Sequence, residues 1–159
     1  MPKLLAIDTN MLLLLVVGLA SEAASKPYLE KHKRTQVYNK ELFELLQLII
    51  SQSSGLLLTP NVLSETSNLM YYISDKQAKN DIAISFKSIV DMTSERFIKS
   101  TVATSNANFV FLGLADAVLL EIQTKGIILL TDDFPLYQAS VNLGYEVINF
   151  SHVREEFDL

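Results

Sequence analysis

Apolar residues in this chain fall into short runs separated by amphipathic stretches. Residues 4–7 (Leu-Leu-Ala-Ile) form a run that stops at Asp-Thr-Asn, which predicts a buried strand followed by a helix start. Residues 11–17 (Met-Leu-Leu-Leu-Leu-Val-Val) carry no polar side chain, so that helix should be buried all round. Residues 41–50 place Leu42, Leu45, Leu46, Ile49 and Ile50 at helical spacing. Residues 56–58 are a second short apolar run. Thr59-Pro60 then supplies an N-cap and a first-turn proline. Residues 75–90 predict a helix with Ile82, Phe86, Ile89 and Val90 on one face, and residues 113–123 another that closes at Gly126. Residues 127–130 are the clearest strand. Thr131-Asp132-Asp133 opens a further helix ending near Gly144, and residues 147–150 are a last strand. Residues 96–108 fit neither pattern, and residues 26–40 read as a charged connection.

Short apolar strands separated by helices indicate a parallel sheet covered on both faces. The expectation is an α/β fold: a three-layer α/β/α sandwich with a parallel sheet of about four to five strands, as a single domain over residues 1–159. There is no internal repeat and no long linker.

That arrangement gives the acidic residues a common address. Ligands of open parallel sheets bind beyond the carboxyl ends of the strands. Asp8 directly follows the first strand, and Asp132 and Asp133 directly follow the strand at 127–130. Glu65 lies about two turns into the helix that leaves the second strand. Asp116 interrupts an apolar helix start, Leu-Ala-Asp-Ala. Carboxylates gathered in one cleft repel each other, and their pKa values rise unless a cation compensates. Mg2+ or Mn2+, which prefer oxygen ligands, would compensate. A metal so held activates water and neutralises charge on a phosphate in in-line attack. Each acid also has a plainer reading. Asp8 and one of Asp132 and Asp133 suit helix N-caps. Glu65 suits a solvated helix face, and Asp116 a favourable place near a helix N-terminus.

Composition narrows the chemistry. The 159 residues include no cysteine, which excludes disulfides, thiolate metal sites and cysteine nucleophiles. His32 and His152 are the only histidines, too few for an all-histidine metal site. Hydrophobic residues make up 49% and the mean hydropathy is +0.25, as expected of a packed chain. The net charge of −5 opposes a polyanionic partner. Setting aside the five candidate acids, however, leaves 13 acids against 13 bases. Between positions 26 and 40 five bases face one acid, and Lys31, Lys33 and Arg34 are the candidate RNA contacts. The apolar stretch at 12–20 falls short of the about 20 residues that span a bilayer, and Asp8, Thr9 and Asn10 interrupt what precedes it. The expectation is a cytoplasmic chain with no membrane segment.

The series Ile-Asp-Thr-Asn at 7–10, Pro-Asn-Val-Leu-Ser-Glu at 60–65, Leu-Ala-Asp-Ala at 114–117 and Leu-Thr-Asp-Asp-Phe at 130–134 resembles the four acidic motifs of PIN domains, in family order. The resemblance extends over nearly the whole chain. It implies a Rossmann-like sandwich and a metal-dependent ribonuclease, a hydrolase of RNA phosphodiester bonds using Mg2+ or Mn2+. By position, Asp8 and Asp116 would be the principal ligands, and Glu65 would bind metal directly or through water. Thr131 and Asp133 would match the Thr-x-Asp of the fourth motif, with Asp132 beside them. Thr9 and Asn10 would orient Asp8 or contact substrate. The family includes toxins of toxin–antitoxin pairs and RNA-processing enzymes, so the implied partners are RNA, a cognate antitoxin and a second copy of the chain. The chain is longer than a minimal toxin of this family, around residues 21–39, and no antitoxin-binding groove is recognisable in it.

Two other classes compete. A phosphoryl-transfer domain of similar fold also gathers acids at strand ends, but one class of these wants Asp-x-Asp after the first strand, where this chain has Asp8-Thr9-Asn10. A second wants a late lysine, where Leu130 is followed by Thr-Asp-Asp. A non-catalytic scaffold of the same fold has no reason to keep a metal site. His32 and His152 read as solvated histidines, and Tyr71 and Tyr72 as core or interface aromatics.

Overall fold

The computed structural model describes residues 2–123 and 126–159. In chain order these form β1 (Leu4–Ile7), α1 (Thr9–Ala24), α2 (Tyr28–Lys31), α3 (Lys40–Ser51), β2 (Gly55–Leu58), α4 (Pro60–Leu69) and α5 (Lys76–Met92). Then follow β3 (Ser94–Glu95), α6 (Ser100–Thr104), α7 (Phe109–Leu112), α8 (Leu114–Ile122), β4 (Ile127–Thr131), α9 (Phe134–Asn142), β5 (Val147–Asn149) and α10 (Phe150–Glu156). The strands form one parallel sheet in the order β3-β2-β1-β4-β5. β1 sits at its centre, with Leu4 to Ile7 in register with Ile127 to Leu130 of β4. Connections leave β1 toward one edge and β4 toward the other. Right-handed crossovers running in opposite directions put helices on opposite faces, and the inner strands are accordingly buried.

Local chemistry explains most helix boundaries. Asp8, Asn39, Thr59, Asp75, Asp133 and Asn149 each cap a helix through the side chain. Pro60 occupies the first turn of α4. Positions 11–18 of α1 are all buried, and the helix packs against α2, α3, α4 and α5. Gly18 lets α3 come close, since a Cβ there would lie 2.2 Å from the Phe43 ring. Among the described residues no helix is long and apolar enough to cross a membrane.

Three features depart from the sequence pattern. The fifth strand, β3, has two exposed residues, so no apolar run marks it. It is held by backbone pairing to β2 and by Arg96 N–H donating to Leu58 O at 2.9 Å. Phe150, read as the end of the last strand, opens α10 because Asn149 caps it. Tyr71 and Tyr72, read as core or interface aromatics, follow the end of α4 and are about half exposed, 47% and 48%, which sets aside the core reading alone.

Candidate functional site

The sheet order reverses between β1 and β4, and the acidic motifs meet at the carboxyl ends of these two strands. Such a reversal opens a crevice, because the adjoining connections diverge to opposite faces. Asp8 leaves β1 beside Thr131, the last residue of β4. It is 5% exposed. Its Oδ1 accepts the Met11 N–H at 3.0 Å, and its Oδ2 accepts the Thr131 hydroxyl. Thr131 Oγ1 in turn accepts the Asp133 N–H at 2.9 Å. One buried hydroxyl therefore orients two acidic segments.

The other acids come from two helices. Glu65 Oε1 on α4 accepts the Thr9 hydroxyl at 2.7 Å. Asp116 stands in the first turn of α8, which begins after Gly113. Gly113 has φ +86°, a conformation that favours glycine. Asp8, Glu65, Asp116 and Asp133 line a single cavity of about 440 Å³, together with Thr9, Asn10, Arg34 and Asn68. A larger hollow of about 540 Å³ between α1 and α5 gathers only Glu22 and Asp81 among mostly apolar or hydroxyl side chains. Chemistry, rather than size, singles out the acidic cavity.

The electrostatics fit crowded acids. The Asp8 carboxyl is pushed up to about 7 from the usual 3.8, first by burial and then by Asp132, with Asp116 adding a smaller push. The hydrogen bonds from Thr131 and Met11 oppose that rise. The Asp116 carboxyl is likewise pushed up to about 7, first by burial and then by Asp133 and Glu65. Without a counter-charge, burial and the neighbouring carboxylates favour the protonated form of both.

Asp132 has a different place from its neighbour. Tyr38 donates its hydroxyl to Asp132 Oδ2, and Asn10 Nδ2 donates to Oδ1 at 3.3 Å. Asp132 is not among the cavity-lining residues, whereas Asp133 lines the cavity and also caps α9 through Leu136 N–H at 3.0 Å. Asp8 and Asp133 each cap a helix and also line the cavity, so the capping role does not take them away from it. Arg34 reaches the cavity, and Lys31 and Lys33 are exposed outside its lining.

His32 is a correction to the reading of a solvated loop histidine. It is 0% exposed. Its Nδ1 accepts the Arg34 N–H at 3.1 Å, and its Nε2 lies 3.1 Å from Met70 O. His152 is exposed and meets Tyr137 edge-on. Sequence reasoning missed Tyr38 and Asn68. Asn68 had a signal, since it stands one turn beyond Glu65 on the same helix face. Tyr38 had none, because its partner is 94 residues away.

The donor set contains only oxygen, which suits Mg2+ or Mn2+. Among the described residues no three Asp, Glu or His side chains form a ready-made metal cage. Mg2+ is commonly held by one or two carboxylates with waters and substrate phosphates completing its shell, so the cavity fits such an ion. In comparisons with known proteins, the chain matches no family model and no curated protein.

Proposed function

We propose that this protein is a PIN-type endoribonuclease, a divalent-metal-dependent hydrolase of RNA phosphodiester bonds acting in the cytoplasm. The observation that carries the reading is the meeting of all four acidic motifs in one cavity, where Asp8 and Asp116 are both raised to about 7. Such carboxylates are poised to lose their protons and become ligands when a cation arrives.

In this reading Asp8 and Asp116 would hold Mg2+ or Mn2+, with Glu65 and Asp133 assisting. A cation held there would supply an activated water and a counter-charge for the phosphate. The protein supplies orientation. Thr131 and the Met11 amide aim the Asp8 carboxylate, and Thr9 aims Glu65. Asn10 and Asp132 brace each other beside Asp8, with Tyr38 behind. Arg34 offers a guanidinium to the substrate phosphate. Toxin and RNA-processing roles share this chemistry, and a cognate antitoxin or a second copy of the chain remains a partner of the proposal.

The test is cleavage of single-stranded RNA. It should require Mg2+ or Mn2+ and disappear in Asp8→Asn or Asp116→Asn. Cleavage that survives EDTA, or both substitutions, overturns the assignment. A second reading, a non-catalytic module of the same fold, draws on the lack of a three-carboxylate cage among the described residues. It predicts no thermal stabilisation by Mg2+ in the wild type.

A further inference from the structure

The segment that carries Arg34 is tied down more firmly than a charged loop requires. Lys33 N–H donates to Tyr72 O at 2.9 Å. The buried Thr35 hydroxyl donates to Leu29 O at 2.8 Å. The His32 ring has no exposure to water. A buried ring nitrogen that accepts an amide proton has no proton of its own. Nδ1 accepts from Arg34, so the ring is the neutral Nε2–H tautomer and donates to Met70 O. Burial agrees, since it holds the imidazole pKa below its ordinary value.

The two partners of that ring are significant. Met70 ends α4, the helix that carries Glu65 and Asn68. Arg34 is the one basic residue among the described residues that line the acidic cavity, and it forms no salt bridge among the described residues. The imidazole is thus a strut between the helix that brings an acid to the cavity and the backbone that brings the base.

We infer that His32 is a positioning residue that holds Arg34 at the mouth of the acidic cavity, where the guanidinium meets a phosphate of the bound strand. The inference rests on the nucleic-acid reading of the cavity. An arginine on a free loop would lose its conformational freedom at each binding event; a backbone fixed in advance lowers that cost. Arginine suits the position because its planar fork matches phosphate oxygens.

Two substitutions separate the halves of the strut. His32→Gln places an amide where Nε2 stands, so it keeps the tie to Met70 and loses the acceptor for Arg34 N–H. His32→Asn keeps an acceptor for the amide two residues on, in an Asx turn, and loses the tie to Met70. The probe is a labelled single-stranded RNA oligomer, followed by fluorescence anisotropy with Ca2+ as the cation across a salt series. Arg34→Ala should weaken binding about tenfold and flatten the logarithmic salt slope by about 0.7, the share of one phosphate contact on a single strand. His32→Gln should do the same, the double variant should be no weaker than either single one, and His32→Asn, which keeps only the local half of the strut, should fall between His32→Gln and the wild type. Thermal melts establish that each variant is folded; if His32→Gln is not, the cycle is run with His32→Phe. Wild-type affinity and slope in folded His32→Gln (or in His32→Phe where that replaces it), or losses that multiply in the double variant, overturn the inference. A wild type that binds no RNA overturns it together with the nucleic-acid reading. Normal binding and coupling without Mg2+-dependent cleavage overturns the ribonuclease reading alone.

Discussion

Thr131 donates its hydroxyl to Asp8 across the two central strands, joining residues 123 positions apart in the chain. The same oxygen accepts the Asp133 amide. This hydroxyl is the point where the first and fourth acidic motifs become one structure. Thr131→Val keeps the shape and leaves a buried carboxylate one partner short. It should cost about 1–3 kcal/mol at neutral pH and lower Mg2+ affinity about 10–100-fold, as loss of a group that orients a ligand does. Chemical denaturation and a Mg2+ titration of melting temperature measure the two effects. Wild-type Mg2+ affinity in the valine variant would leave Thr131 with a purely structural role.

The raised carboxyls set the pH dependence of the metal-free protein. Asp8 and Asp116 move from 3.8 to about 7 on folding, so the folded state binds protons that the unfolded chain has released. Their contribution to stability is complete below about pH 4 and is lost as pH rises through 7, at up to about 1.4 kcal/mol per group for each unit of pH. Stability in EDTA should therefore fall between about pH 4 and pH 7 and level off above that. Asp116→Asn should flatten that fall and be at least as stable as wild type near pH 8. Mg2+ binds the folded form and should raise the wild-type melting temperature, with most of that rise lost in the variant. A destabilised metal-free variant beside a metal-insensitive wild type would refute a shared site.

Asp132 and Asp133 should separate by experiment. Asp132 is engaged by Tyr38 and Asn10 and does not line the cavity, whereas Asp133 does. Asp132→Asn also removes the largest like-charge influence on Asp8. It should keep most of the Mg2+-induced rise in melting temperature, and Asp133→Asn should lose more of it. The reverse order would make Asp132 the ligand of the pair.

The basic segment divides in the same way. Arg34 lines the cavity, while Lys31 and Lys33 are exposed outside its lining. Neutralising the two lysines together should weaken binding to single-stranded RNA less than Arg34→Ala alone. Equal losses at matched salt would return the segment to a diffuse basic patch.

Gly18→Ala is a control far from the acids. The new methyl would lie 2.2 Å from the buried Phe43 ring, so the ring or the helices that carry it must shift. Overpacking of this kind costs about 1–3 kcal/mol. Denaturation should show that loss, with the Mg2+ response of the folded protein kept.

Strand ends and helix starts were legible along the chain because their causes are local. Apolar runs mark β1, β2 and β4, and Asp8, Thr59, Asp75 and Asp133 announce the helices they cap. β3 was not legible, because its pairing uses backbone groups and its two side chains are exposed. The four acids could be placed at one end of the sheet by the rule that each follows a strand or opens a helix nearby. Which of two adjacent aspartates faces the cavity could not be placed, because Tyr38 and Asn10 draw Asp132 aside through contacts that no spacing records. His32 shows the limit most clearly. A histidine among lysines has the local pattern of a solvated residue, and it is buried because α4 ends against it at Met70, 38 positions further on. Periodicity and capping depend on neighbours within a few residues; burial and convergence depend on which strand lies beside which, and only the folded chain decides that.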